Sequence, residues 1–304
     1  MRMRLMGSLA ALVCGLAAMA HAAAPDNVRA DARVILDKIV SIPSSAGLGQ
    51  VPAVAMYLAD RFRAAGFPED DIHILPSGET ASLVVRYRGN GKGGKPILVL
   101  AHMDVVTAKP EDWERDPYKL IEENGYFFGR GTQDVKGEIS LITATLLRLK
   151  AEKFVPTRDL IIAFSGDEET TMATTKELAT KFRELTDAEF ALNGDGGGGT
   201  LDEETGKPRF YALQGAEKSY ASFALTSRNP GGHSSQPRPD NAIYDLADAL
   251  KALQGYTFPV MWNDWTIGSF KASAPVTPGE LGQAMAKFAA HPGDADAAAV
   301  LAKT

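Results

Sequence analysis

His102 and Asp104 stand two residues apart in "VLAHMDVV", directly after the apolar run "ILVL". Alternate side chains of a strand share a face, so an imidazole and a carboxylate at this spacing can touch or hold one ion. More acids occupy comparable places: Glu168 and Glu169 follow "LIIAFSG", Asp195 ends "FALNG", and Asp134 lies in the glycine-rich turn "GRGTQDVKGE". Any one of them could cap a helix or sit solvated in a loop. Crowded on one rim, they repel each other unless cations lie between them. Cations held there can acidify water and polarise a carbonyl, while a carboxylate beside a ligand moves the proton.

The elements needed to gather these groups are legible from periodicity. Helical spacing of apolar residues runs through "NVRADARVILDKIVSI" and "PAVAMYLADRFRAAGF", the second with Pro52 near its start and Gly66 near its end. Strand-like runs follow, "ASLVVRYRG", "KPILVLAHMD", "RDLIIAFSGDEE" and "EFALNGD", separated by the helix-like "KGEISLITATLLRLKAEKF" and "TTKELATKFREL". Short apolar runs alternating with helices imply an α/β fold, a mostly parallel sheet covered by helices on both faces. In such a sheet ligands bind outside the carboxyl ends of the strands, where the acids and His102 fall. From residue 207 the pattern changes to strand on strand, "KPRFYALQG" and "EKSYASFALTSR", followed by the helix-like "PDNAIYDLADALKAL". The expected division is an α/β unit over 25–214 and a smaller α+β unit over 215–304.

Composition limits the partners. The 304 residues are 45% hydrophobic and 23% charged, ordinary for a globular protein with room for two cores. The start, "MRMRLMGSLAALVCGLAAMAHAAAPDN", has a basic beginning, a short apolar run and the small-residue pattern Ala20-His21-Ala22, which reads as a cleaved secretory signal over 1–22. The apolar run is too short for a comfortable membrane span, so a periplasmic or secreted protein without a membrane partner is expected. Cys14, the single cysteine, lies in that signal, so any metal must be held by His, Asp and Glu. Loss of Arg2 and Arg4 with the signal takes the formal charge from -6 to -6 - 2 = -8. An acidic chain with no basic run argues against nucleic acid as partner.

The ordered motifs "LAHMDVV", "WERDPYKL…GYFFGRGTQDVKG", "FSGDEE", "NGDGGG" and "NPGGHSSQP" resemble the dinuclear zinc family of carboxypeptidase G, carboxypeptidase S, aminoacylase and the acetylornithine and succinyl-diaminopimelate deacylases. The resemblance spans about residues 30 to 245. It implies a zinc-exopeptidase-like catalytic domain with an inserted lid and dimerisation domain, and two zinc ions per subunit. It further implies that Asp134 bridges the ions, that His102 and Asp195 complete one of them, and that Glu169 holds the other. Glu168 would be the general base, and Asp104 the carboxylate that orients the His102 ring. His233, in "GGHSS", would polarise the substrate carbonyl from the lid, often in a partner subunit, which implies a homodimer and a closing motion. The implied reaction is hydrolysis of an amide or peptide bond in a peptide or N-acyl amino acid.

The family's second zinc needs a further histidine from a later part of the catalytic domain, and the chain departs from the family pattern there. His291, in "AAHPGDAD", lacks a strand-end setting, and Val135 follows the bridging position where many relatives carry Asp or Met. A chain truncated relative to the family is therefore expected, and a non-catalytic metal-binding or dimer-forming fragment stands as the alternative. "GNGKGGK" has phosphate-loop spacing, but Pro96 stands where Ser or Thr is needed and a strand follows, so it reads as a turn. The "GGGG" after Asp195 opens no dinucleotide fingerprint, and neither His73 nor His291 is given a role.

Overall fold

The computed structural model describes residues 26–202, 204–215 and 220–303. The expected secretory signal lies outside the described residues. Two compact units divide the chain between Gly199 and Thr200. The break expected near Gly215 thus falls inside the second unit.

The first unit begins with helices α1 (Asp26–Val40) and α2 (Val51–Ala64), followed by strands β1 (Ile72–Ser77), β2 (Thr80–Tyr87) and β3 (Ile97–His102). A short ribbon, β4 (Ile121–Glu123) and β5 (Tyr126–Phe128), precedes helix α3 (Lys136–Ala151) and strand β6 (Leu160–Ser165). Helices α4 (Ala173–Ala179) and α5 (Arg183–Thr186) lead to strand β7 (Phe190–Asn193). The central sheet has the order β1-β2-β6-β3-β7. β3 runs parallel to both β6 and β7, whereas β2 is antiparallel to β1 and β6, so four of the five strands point the same way. The β3–β6 ladder pairs His102 with Ser165, which brings the carboxyl ends of these two strands level.

Strands buried on both faces read as continuous apolar runs, and successive residues here enter different cores. Leu83, Val85, Ile162 and Phe164 pack with α1, α2 and α3 residues such as Ile35, Phe62 and Ile139. Val84, Ile161 and Ala163 point to the other face, against Leu178 of α4. Phe62 and Phe67 meet edge to face with ring centroids 5.1 Å apart, each such pair adding about 0.5–1.5 kcal/mol beyond area burial. Gly66, at φ +81°, turns the chain out of α2, as its place after the apolar run suggested.

Sequence and structure differ at four further stretches. "TTKELATKFREL" is not one helix, because α4 stops at Ala179 and α5 is a separate short turn. β1, with Pro76 near its end, and the β4–β5 ribbon were not expected. In the second unit no strand forms over the described part of "EKSYASFALTSR", where Tyr220, Phe223 and Leu225 are exposed.

Strands β8 (Gly198–Leu201) and β9 (Pro208–Ala212) form a two-stranded ribbon at the start of that part of the chain. Helices α6 (Ala242–Gln254), α7 (Asp264–Ser273), α8 (Gly279–Ala290) and α9 (Ala295–Leu301) follow. Asn241, Asn263 and Asp294 cap α6, α7 and α9 through their side chains. Ala284, Phe288 and Ala297 make a small core with Ile267, Phe270 and Val300. α6 buries none of its residues. No helix among the described residues is long and apolar enough to cross a membrane.

Candidate metal centre

β3 delivers His102 to the rim and then ends. The chain continues extended, tied by Met103 N–H to Ser165 O at 2.8 Å and by Val105 N–H to Ser44 O at 3.3 Å. Asp104 is therefore just beyond the strand, and its nearest approach to the ring is through the main chain. His102 Nδ1 lies 3.0 Å from the Asp104 carbonyl oxygen and 3.4 Å from its Oδ1. With Nδ1 engaged, Nε2 is turned toward the acids, 3.0 Å from Asp134 Oδ1, 3.7 Å from Asp195 Oδ2 and 3.9 Å from Glu168 Oε2. Ligand atoms of His102, Asp134 and Asp195 all lie within 4.8 Å of one another. A triad of two hard carboxylate oxygens and one imidazole, gathered at that spacing, fits a zinc-type ion with an open position.

Three separate pieces of backbone make this possible. Asp134 is presented by the tight turn before α3, with a cis Asp134–Val135 peptide. Gly131 has φ +88°, and a Cβ there would come 2.9 Å from Val105 Cγ1. Asp195 follows β7, where Gly194 N–H bonds Leu100 O at 3.2 Å and a Cβ on Gly194 would lie 2.2 Å from Glu138 Cγ. The Glu168–Glu169 turn follows β6, and here Asp104 takes a second part. Its Oδ1 accepts Glu168 N–H at 3.1 Å and its Oδ2 accepts Glu169 N–H at 2.9 Å. One buried carboxylate thus connects the imidazole strand to the glutamate turn.

The charges agree with this crowding. Burial pushes the Glu168 carboxyl up, and although His102 opposes, the Asp195, Asp104 and Asp134 charges push the same way. Burial also raises Glu169, with Asp134 as the next cause. Burial resists a charge on His102, but the Asp104 hydrogen bond and the Asp104 and Asp195 charges outweigh it and raise the imidazole to about 9. The acids favour a cation in their midst; a metal must displace the ring proton to take that place.

The site residues expected from sequence therefore fall in two groups. His102, Asp134 and Asp195 meet as one triad, with Glu168 and Asp104 in contact around His102. Glu169 lies beside Glu168 and feels Asp134, outside the triad. His233 belongs to the second unit, exposed in a turn where its Nδ1 lies 2.8 Å from Ser235 Oγ.

Sequence reasoning passed over Lys136. It is wholly buried, its Nζ donates to Ile39 O and Ile42 O at 2.8 Å each, and burial pulls its ammonium down to about 7 against the opposing charge of Asp104. Its signal was a lysine at the first position of a helix, where the macrodipole disfavours a cation.

Residues 98–295 match the family described as Peptidase family M20/M25/M40. The chain belongs to that family. The chain is 29% identical over 191 residues to the N-fatty-acyl-amino acid synthase/hydrolase of Homo sapiens, covering 62% of this chain and 38% of that protein. It is 32% identical over 194 residues to the acetylornithine deacetylase of Shigella sonnei, covering 64% and 46%. Among solved structures, the di-peptidase Dug1p of Saccharomyces cerevisiae superposes with TM-score 0.50 at 22% identity, over 58% of this chain and 40% of that one. The last likeness is one of fold. The M20 chain described here spans less than half the length of each of these relatives.

Proposed function

We propose that the protein is an exported zinc amidohydrolase or exopeptidase, cleaving the C–N bond of a peptide or an N-acyl amino acid. The observation that carries this reading is the His102–Asp134–Asp195 triad with the Glu168 carboxylate 3.9 Å from His102 Nε2. The named activities of M20 relatives, an N-fatty-acyl-amino acid synthase/hydrolase and an acetylornithine deacetylase, support the substrate class.

Zinc, when bound, polarises a carbonyl and makes water more acidic. His102 and Asp195 would hold one ion, with Asp134 shared between it and a second ion on Glu169. Glu168, raised by its setting, takes a proton from water as that water's oxygen attacks the carbonyl carbon. It returns the proton to the departing nitrogen as the C–N bond breaks, leaving a carboxylate and an amine. Asp104 holds the glutamate turn through two amides and the His102 ring through its carbonyl. His233, by family resemblance, would polarise the carbonyl oxygen across a dimer formed through the second unit.

The test is hydrolysis of N-acyl amino acids and dipeptides by the zinc-loaded protein, in the 304-residue form and in a longer form if the reading frame supplies one. Turnover that depends on zinc and is lost in Glu168→Gln supports the reading. Zinc binding without turnover in every form would leave a non-catalytic metal-binding protein, a reading favoured by the single imidazole in the triad.

A further inference from the structure

We propose that Lys136 is a positioning residue of the metal site: its buried ammonium, bonded to the Ile39 and Ile42 carbonyls, fixes the turn that presents Asp134. This inference rests on the metal-binding reading above.

Lys136 opens α3, two residues after Asp134. The start of a helix carries partial positive charge and unpaired amides, so a cation is disfavoured there. Desolvating a lysine adds a further penalty unless it finds strong partners. The partners lie on another element. Ile39 is in the last turn of α1 and Ile42 just follows it, so their carbonyls belong to the negative end of that helix. The ammonium is thus pulled from the wrong end of one helix to the right end of another. Its chain spans the gap between the two, and Asp134 is carried on the turn that this strut holds.

Neighbouring groups leave the turn little other room. A Cβ on Gly131 would meet Lys136 Cδ at 3.0 Å, and a Cβ on Gly137 would meet Thr132 O at 2.2 Å. Val135, between Asp134 and Lys136, is buried in the main core. A methionine at 136 would fill the same volume without any buried charge, so packing alone does not account for lysine. The charge also acts on Asp104, the carboxylate that holds both glutamate amides. One cation therefore steadies the Asp134 turn and lies near the carboxylate that holds the glutamate turn.

Lys136→Met and Lys136→Gln test this, the second keeping a donor so that the turn still has a partner. Zinc affinity is read by chelator competition, the cobalt-substituted absorption spectrum reports ligand geometry, and kcat and KM are read on the best substrate in whichever form of the protein turns over. The expected result is zinc binding at least tenfold weaker in Lys136→Met, an altered cobalt spectrum, and a fall in kcat with KM changed less than twofold. These are the effects of removing support behind a metal ligand. Lys136→Gln should lie between Met and wild type. If Lys136→Met does not fold, Lys136→Gln decides alone. Wild-type zinc affinity and cobalt spectrum in a folded variant, with only the melting temperature lowered, would overturn the inference. Failure of the wild-type protein to bind zinc would instead sink the metal-binding reading itself.

Discussion

The Oδ2 atom of Asp104 lies 2.9 Å from the amide nitrogen of Glu169, while the main-chain carbonyl of the same aspartate lies 3.0 Å from His102 Nδ1. The residue that steadies the imidazole therefore also orients the turn bearing both glutamates. The carbonyl serves only the imidazole and Oδ2 only the Glu169 amide, whereas Oδ1 lies 3.4 Å from the ring and 3.1 Å from the Glu168 amide, so substitution separates the two parts in part. Asp104→Asn keeps the carbonyl but puts an NH₂ where one amide now finds an acceptor. We expect the His102 ring to stay in place and the glutamate turn to move, with zinc bound about 10–100-fold more weakly. Unchanged zinc affinity and unchanged kcat in a folded Asp104→Asn protein would show that the two amide bonds do not matter to the site.

In a form that turns over, Glu168→Gln should lower kcat by about 10²–10⁴-fold while metal content stays near that of wild type, because the amide keeps the shape and loses the base. Metal analysis beside Glu169→Gln checks the division of labour. Zinc lost from Glu168→Gln and kept by Glu169→Gln would reverse the two roles.

Much of the sheet was legible because β2, β3 and β6 are apolar runs of strand length, β2 and β6 buried on both faces and β3 half-buried until its last two residues. The parallel ladder of β3 with β6 and β7 then puts His102, the glutamate turn and Asp195 on one rim. β1 was hidden because "IHILPS" contains a proline, tolerated here in an edge strand. The β4–β5 ribbon was announced by "ENGY": Asn124 and Gly125 both have positive φ, the turn that "NG" favours between short strands. Asp104 could be placed beside His102 from spacing, but its amide bonds to residues 64 and 65 positions away depend on the tertiary fold. Lys136 shows the same limit, since its partners lie 94 and 97 positions away. The strand expected over "EKSYASFALTSR" does not form over its described part, where no described apolar surface covers Tyr220 and Phe223 and both remain exposed.

Gly194 allows Asp195 its position because the Glu138 side chain lies where a Cβ would be, 2.2 Å away. Gly194→Ala should weaken zinc binding and destabilise the fold by about 1–3 kcal/mol, the usual range for overpacking. Glu138→Ala removes the obstructing Cγ. Combined with Gly194→Ala, it should restore part of the zinc affinity, a coupling that a double-mutant cycle measures. Additive losses would mean that the contact does not set Asp195.

Away from the site, burial pushes the Asp159 carboxyl up, but the Gly89 amide and the Arg86 guanidinium outweigh it and hold it below the usual range. A carboxyl lowered on folding contributes stability above its unfolded pKa near 4, and loses it as pH falls through the folded value. Asp159→Asn should therefore cost about 1–3 kcal/mol at neutral pH, with the deficit shrinking below about pH 4. Urea melts of both proteins across that range give the comparison; a deficit that does not change with pH would remove the charge from the explanation.

The ligand set also fixes an expected stoichiometry. His102, Asp134 and Asp195 supply three protein donors to one ion, enough for a zinc with an open position. A neighbouring ion would have Asp134 and Glu169, two carboxylates without an imidazole, and zinc sites of that poverty bind weakly. β7, with Phe190 and Leu192 exposed, forms one edge of the sheet that carries Asp195, so the triad itself stands on a lightly covered strand. The 304-residue chain should therefore hold about one zinc per subunit and hydrolyse amides slowly or not at all. Metal analysis and assay of this chain beside a longer form test both parts. Two tightly bound ions and full turnover in the 304-residue chain would require a second imidazole that the triad does not contain.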